Sequence, residues 1–298
     1  MEPGRKSEGE FRSSFIMTSL LIADQWRDYE LLDSGNGEKL ERFGGFIVTR
    51  PEPRIIWNKK SEDLWKKAEG IFTGEEWRFS SSPPTEWKIS YDKMVFNLKP
   101  TEFKHVGVFP EQAVNWDWIT QILKSQGKGH DKKVLNLFAY TGGATMAAAM
   151  AGAQVTHVDS SRPAMMWASE NAKLSRIAKD SIRWIQDDAI KFVQREIRRG
   201  AKYDGIIMDP PRFGRGVSGE VWKLENNLPK LAHACREILS ETPLFFLINA
   251  YTADLSHLAV ENLLTDVMKE NVESGELGLK ESVGGRILPA GIFARWKL

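Results

Sequence analysis

From about Ala113 onward, apolar β-type runs alternate with helix-type runs, and this alternation constrains the fold more than any other feature of the chain. The first unit is VLNLFAYTGGATMAAAMAGA, Val134 to Ala153. Val134–Phe138 reads as a buried strand, and Ala144–Ala151 as a helix that Gly152 can terminate. Thr141-Gly142-Gly143 stand between them, either as an ordinary tight turn or as backbone amides presented to a ligand. Strands are then expected at Gln154–Val158, Ile182–Ile185, Tyr203–Met208 and Leu244–Ile248. Helices are expected at Pro163–Leu174, Ala189–Arg199, Gly219–Leu239 and Ser256–Glu270. Two last runs, Leu277–Val283 and Ile287–Trp296, are close enough to pair antiparallel. The order predicts an α/β fold: a doubly wound, mostly parallel sheet with an antiparallel edge, binding ligands beyond its strand C-termini.

The chain before Gln112 follows a different pattern. FGGFIVTRPEPRIIW (Phe43–Trp57) holds a short β-like run broken by Pro51 and Pro53. EWKISYDKMVFNL (Glu86–Leu98) predicts a hairpin about Tyr91-Asp92-Lys93, and SEDLWKKAEGIF between them predicts a short helix. We expect a disordered tail over 1–17, with Met17 a second candidate start, a small β-rich domain over 18–112, and the α/β domain over 113–298. The tail mixes acids and bases, unlike a secretory signal, and no apolar run approaches membrane-spanning length, so a cytoplasmic protein without a membrane partner is expected. A lone cysteine, Cys235, excludes an intramolecular disulfide, and the five histidines form no H-x-x-x-H pair, so no metal is expected. With a formal net charge of +1, any nucleic-acid binding would need a local basic patch.

Acidic residues close three consecutive predicted strands: Asp159, then Asp187-Asp188, then Asp209 in DPPRFG. Each alone could be a turn or N-cap residue. Together, beside a glycine turn on the first strand, they converge on one crevice. A carboxylate at Asp159 can accept both hydroxyls of a ribose, and one after the third strand can accept from an adenine amine. The loop AYTGGA lacks the G-x-G-x-x-G spacing of dinucleotide sites, and no Lys-Ser/Thr pair follows the glycines as in a Walker loop. S-adenosylmethionine, whose ammonium and carboxylate need no phosphate cradle, is the remaining common nucleoside cofactor.

VLNLFAYTGG, THVDSS, IRWIQDDAIKFV and YDGIIMDPPRFG, in that order, resemble the class I S-adenosylmethionine-dependent methyltransferases, in particular the bacterial large-subunit rRNA methyltransferase-like group. GVFPEQ (Gly107–Gln112) is similar to the segment preceding the catalytic domain there. The resemblance implies a Rossmann-like seven-stranded sheet. It implies that Asn136, Phe138, Ala139, Tyr140, Thr141, Gly142 and Gly143 line the methionine end, and that Asp159 with Ser160 holds the ribose. Asp188 and Ala189, with Asp187 the lesser choice, would meet the adenine. Asp209, Pro210, Pro211 and Phe213 would form the catalytic wall, Asp209 also meeting the cofactor, and Gln112 or its neighbours would approach the cofactor.

Relatives that methylate carbon 5 of cytosine carry a cysteine just after the fifth strand; this chain has Asn249-Ala250-Tyr251 there. Cys235 falls in register with Leu231, Ile238 and Leu239, the spacing of a buried helix stripe. Direct in-line transfer to a nitrogen or oxygen is therefore expected, with a nucleobase nitrogen of structured RNA, rRNA in particular, as the leading acceptor. DPPRF resembles the motif in which the acid and the first proline's carbonyl accept from an amine, except that Arg212 takes the aromatic position; a ring nitrogen fits as well. Arg212, Arg215, Asn249 and Tyr251 are the expected substrate-binding residues. A protein or small-molecule acceptor, and a non-catalytic binding module, are alternative readings. The cluster Arg195, Arg198, Arg199 and Lys202 reads either as an RNA patch or as a solvated helix end.

Overall fold

The computed structural model describes residues 19–127, 132–215, 221–251 and 254–298. The tail expected over 1–17 lies outside the described residues, as does the side chain of Arg215.

The N-terminal part opens with β1 (Ser19–Ile22), followed by β2 (Tyr29–Gly35), β3 (Glu38–Phe43) and β4 (Phe46–Pro51). A single helical turn, α1 (Glu62–Trp65), precedes β5 (Gly70–Phe72) and β6 (Trp77–Phe79). The helix expected over the whole of SEDLWKKAEGIF therefore stops after one turn. Gly70 and Ile71 pair instead with Val48 and Thr49, extending the β2-β3-β4-β5-β6 sheet. The expected hairpin forms as β7 (Lys88–Tyr91) and β8 (Met94–Asn97), with Asp92 at φ 48° in its turn.

In the second part α2 (Ala113–Ser125) leads into β9 (Lys133–Leu137), α3 (Gly143–Met150), β10 (Gln154–Asp159), α4 (Arg162–Leu174) and β11 (Ile182–Gln186). Then come α5 (Ala189–Arg199), β12 (Gly205–Met208), β13 (Phe213–Arg215), β14 (Val221–Lys223) and α6 (Leu224–Glu237). The chain closes with β15 (Phe245–Ala250), α7 (His257–Met268), β16 (Glu273–Lys280) and β17 (Ile287–Lys297). The main sheet has the order β1-β16-β17-β15-β12-β9-β10-β11. It is mostly parallel, with β17 antiparallel to both neighbours, as the sequence pattern predicts. It has eight strands instead of seven, because Ser19–Ile22 pairs parallel with Gly275–Gly278. Gly275 permits this: a Cβ there would lie 1.8 Å from the Ser19 carbonyl oxygen.

The helix expected from Gly219 begins only at Leu224. The Trp222 indole donates to the Pro211 carbonyl at 2.6 Å, and Val221–Lys223 pairs with Phe213–Arg215, so these residues form a hairpin instead. The two parts of the chain share a core. Phe43, Phe46, Trp87 and Phe96 cluster with Ala113, Trp116, Met146, Leu279 and Leu288. Arg286, between β16 and β17, donates to Asp33 at 3.0 Å and to Glu281 at 2.7 Å, joining the small sheet to the large one. Most tryptophans are structural: Trp87 and Trp116 are buried, and the Trp87 and Trp167 indoles donate to the Phe43 and Asn97 carbonyls. Cys235 is fully buried in the stripe of α6, and desolvation pushes its thiol well above the usual range.

Candidate active site

The sheet winds outward in both directions from β9 and β12, which are adjacent. Helices leaving neighbouring strands toward opposite sides open a crevice at the carboxyl ends of those strands. Leu137 is level with Met208 and with Val158, so the glycine turn, Asp159 and Asp209 all emerge at this edge. A cavity of about 410 Å³ lies there, lined by Asn136, Phe138 to Gly143, Asp159, Ser160, Asp209 to Arg212, Asn249 and Tyr251. Gln112 and Phe109 close it from the GVFPEQ segment.

The turn alternates in hand: Phe138, Tyr140 and Gly142 have φ of 55°, 48° and 89°. A left-handed non-glycine residue costs about 1–2 kcal/mol, so two of them need compensation. The Ala139 amide donates to the Val158 carbonyl at 3.1 Å, and the Tyr140 amide donates to Asp159 Oδ2 at 2.8 Å. Asp159 Oδ1 accepts from the Ser161 amide at 2.8 Å. Both oxygens are thus fixed by backbone, each keeping lone-pair capacity toward the cavity. Burial pushes the Asp159 carboxyl upward, against the two amide bonds that lower it.

Two glycines follow because two different contacts require them. Gly142 supplies the left-handed N-cap of α3, and Gly143 lies against the Trp116 ring, where a Cβ would stand 2.5 Å from Cζ2. Gly143→Ala is therefore expected to destabilise the fold by about 1–3 kcal/mol through overpacking, read by denaturant titration. An unchanged midpoint would show that the Trp116 contact relaxes freely.

Asp209 closes β12 with few partners. Gln112 Nε2 donates to its Oδ2 at 3.4 Å, a long bond. Burial, then the charge of Glu111, pushes its carboxyl up to about 7. Gln112 is oriented by a chain of amides: Asn115 Nδ2 donates to Gln112 Oε1 at 3.2 Å and to Asn249 Oδ1 at 2.9 Å. Arg295, gripped by Glu273 at 2.8 and 2.9 Å, donates to Asn115 Oδ1 at 3.4 Å. Tyr251 sits at the other end, its hydroxyl donating to Glu52 and its ring 4.3 Å from the Arg54 guanidinium carbon.

Not every expected site residue reaches the cavity wall. Asp188 caps α5, accepting from the Lys191 amide at 2.9 Å, while Asp187 pairs with Arg195; neither they nor Ala189 line the cavity. Phe213 is 56% exposed on the β13–β14 hairpin and also lies off the wall. Arg212 lines the cavity but is engaged by Asp254 at 2.5 Å and Glu225 at 3.9 Å. In the basic cluster of α5, Arg199 pairs with Glu196 and Lys202 donates to the Glu237 carbonyl. Sequence reasoning named neither His105 nor Phe109, which do line the cavity, and reached Glu111 only as a neighbour of Gln112. The GVFPEQ segment was the available signal for the last two. Burial lowers His105 to about 3, so its ring is neutral. Among the described residues no group of three or more His, Cys, Asp or Glu could hold a metal, and no helix is long and apolar enough to cross a membrane.

Comparison with known proteins agrees with this geometry. Residues 72–242 match the family model of S-adenosylmethionine-dependent methyltransferases. The chain is 40% identical over 236 residues to ribosomal RNA large subunit methyltransferase I of Enterobacter sp. (strain 638), covering 67% of this chain and 58% of that protein. The protein of that name from Escherichia coli O139:H28 (strain E24377A / ETEC) gives the same identity and coverage. The chain thus spans about 58% of the length of these curated relatives. Among solved structures, the S-adenosylmethionine-dependent methyltransferase from Agrobacterium tumefaciens superposes with a TM-score of 0.89 at 43% identity, over 94% of this chain and 93% of that one. A crevice at the switch point, a glycine turn beneath it and acids at its strand ends, on a chain that matches the family model over more than half its length, place this protein in the S-adenosylmethionine-dependent methyltransferase family.

Proposed function

We propose that the chain transfers a methyl group from S-adenosylmethionine to a nucleobase nitrogen of structured RNA, by direct in-line displacement. One observation carries the reading: the cavity pairs a backbone-anchored carboxylate beside a glycine turn with a desolvated acid, Asp209, on the adjacent strand. When bound, S-adenosylmethionine supplies a methyl group activated by its positive sulfonium. The residues fit such a ligand. Asp159 has free lone pairs for a ribose diol, and the turn from Phe138 to Gly143 leaves space and backbone polar groups for the methionine end. Asn136, Gln112 and Ser160 complete that wall in this reading. Asp188 and Ala189, which follow β11 and open α5, are the residues assigned to the adenine, Asp187 being paired with Arg195. Asp209, Pro210 and Pro211 face the acceptor, with Asn249, Tyr251 and Arg212 beside it.

RNA as acceptor is supported by the curated relatives, which are named as methyltransferases of large-subunit rRNA. The buried thiol argues against carbon 5. Carbon-5 chemistry needs a nucleophile that can reach the ring, and Cys235 is enclosed in the core. Cys235→Ser is expected to cost about 1–3 kcal/mol of stability, because it buries an unpaired hydroxyl. Turnover per folded molecule should be unchanged; loss of turnover with cofactor binding intact would restore cysteine chemistry.

The reading is tested by incubating the protein with methyl-tritiated S-adenosylmethionine and fractionated cellular RNA or protein. Label entering an RNA fraction, with activity falling steeply as salt rises, is the expected result. Arg212→Ala should raise the RNA concentration needed by about threefold to tenfold and flatten the salt dependence, since phosphate contacts act by counterion release. Label entering protein instead, or no label anywhere, defeats the reading.

A further inference from the structure

We infer that Thr145 and His157 are positioning residues for the cofactor: a line of buried hydrogen bonds turns the Asn136 amide so that its oxygen faces the cavity, as an acceptor for the ammonium group of the methionine end. The inference rests on the cofactor reading above. It adds an orientation for Asn136 and a role for two residues that do not themselves line the cavity.

Asn136 on β9 is the cross-strand neighbour of His157 on β10, and Thr145 lies in the first turn of α3. The three side chains are buried, at 2%, 0% and 0% exposure for Asn136, Thr145 and His157. Asn136 Nδ2 donates to Thr145 Oγ1 at 2.9 Å, and Thr145 Oγ1 lies 2.9 Å from His157 Nδ1. Only Asn136 of the three reaches the cavity wall. At the far end of the line, His157 Nε2 is buried with no hydrogen-bond partner among the described residues. An unpaired buried nitrogen costs about 1–3 kcal/mol, so an apolar side chain would serve packing better at this position. Such an atom calls for a reason other than packing. The Asn136 amide supplies one.

Burial lowers the His157 ring to about 3, so at neutral pH it carries a single proton. Where that proton sits decides what the cavity meets, because the Thr145 hydroxyl has only one proton to give. With the ring proton on Nε2, the bare Nδ1 takes the Thr145 proton, Oγ1 accepts from Asn136 Nδ2, and Asn136 Oδ1 is turned to the cavity. With the ring proton on Nδ1, that nitrogen donates to Thr145, whose own proton is left for the Asn136 oxygen. The amide would then turn over and present its nitrogen. Among the described residues Thr145 Oγ1 has no hydrogen-bond partner besides these two, and Asn136 Nδ2 is the donor to it, which is the first arrangement. An ammonium has donors and no lone pair, so it suits an amide oxygen and is repelled by an amide nitrogen. A carboxylate would need the opposite orientation.

Two measurements test this. Nitrogen-15 NMR of the free protein should find His157 protonated on Nε2 alone. Calorimetry should then compare three ligands: S-adenosylhomocysteine, its analogue with hydrogen in place of the amino group, and methylthioadenosine, which lacks the whole amino-acid end. His157→Phe removes Nδ1 and frees the Thr145 proton for the Asn136 oxygen. It should weaken S-adenosylhomocysteine binding about tenfold to a hundredfold and leave the other two ligands within about twofold. His157→Asn, whose amide oxygen can stand in for Nδ1, should recover most of that affinity. Thr145→Val should give the same ligand pattern, and serves if His157→Phe does not fold. A packing role alone would move all three ligands together or none of them. Equal losses, an unchanged S-adenosylhomocysteine affinity in a folded His157→Phe, or a ring proton on Nδ1 in the parent overturns the inference while leaving the cofactor reading in place. A parent that binds none of the three ligands overturns the cofactor reading and this inference with it.

Discussion

Asp209→Ala is expected to lower single-turnover methyl transfer by about 10²–10⁴-fold, the range for losing a positioned acid–base group together with acceptor alignment. Affinity for S-adenosylmethionine should stay within about twofold, since only an acceptor contact is removed. The side chain closes β12, whereas Asp159, the carboxylate proposed for the ribose, closes β10 on the far side of β9. Comparable loss of cofactor binding, measured by calorimetry, would move Asp209 into the cofactor site. The pH profile gives a second check. Burial and the Glu111 charge hold the Asp209 carboxyl at about 7, and a base works only when deprotonated, so the parent rate should rise as pH passes upward through about 7. Stability has the opposite sign. A carboxyl raised in the folded state contributes stability below its ordinary range, near 3.8, and that contribution is lost as pH rises through about 7. Asp209→Asn, neutral throughout, should therefore melt progressively higher than the parent as pH increases from 4 to 8. A constant gap would mean that the carboxyl is not desolvated in the folded protein.

Asp159→Ala should weaken S-adenosylmethionine binding by about 10–150-fold, equivalent to about 1.5–3 kcal/mol, by removing a charged acceptor for the ribose hydroxyls. The effect reaches beyond the lost contact. Asp159 accepts from the Tyr140 and Ser161 amides, so the variant also releases the left-handed turn that positions Ala139 to Gly142. A lower melting temperature without ligand should accompany the weaker binding. Asp188→Ala should lose a comparable factor in affinity if it meets the adenine, plus about 1 kcal/mol from the missing N-cap of α5. Asp187→Ala should matter less. The reverse order would exchange the two roles, and unchanged affinity in a folded Asp159→Ala would remove it from the cofactor site.

The sequence by itself determined the parallel frame and the position of its ligand crevice. Runs such as VLNLF and GIIM are almost wholly apolar, as strands buried between two helical layers must be, and a helix follows each before the next strand of the main sheet. Crossovers of that kind are local, and an acid at a strand end stays there however the layers pack. Expectations failed where the deciding partner lay far away in the chain. EKLERF (Glu38–Phe43) drew no expectation from the sequence, and in the structure its Lys39 and Glu41 are buried. Arg50 on the next strand neutralises Glu41, and Tyr29 donates to it, so only the assembled sheet makes that strand stable. Ser19–Ile22 became the eighth strand through Gly275, more than 250 residues away. Val221–Lys223 left its helix because Trp222 found the Pro211 carbonyl. Whether a carboxylate is neutralised depends on which cations the tertiary structure brings within about 4 Å, a distance that local sequence does not control.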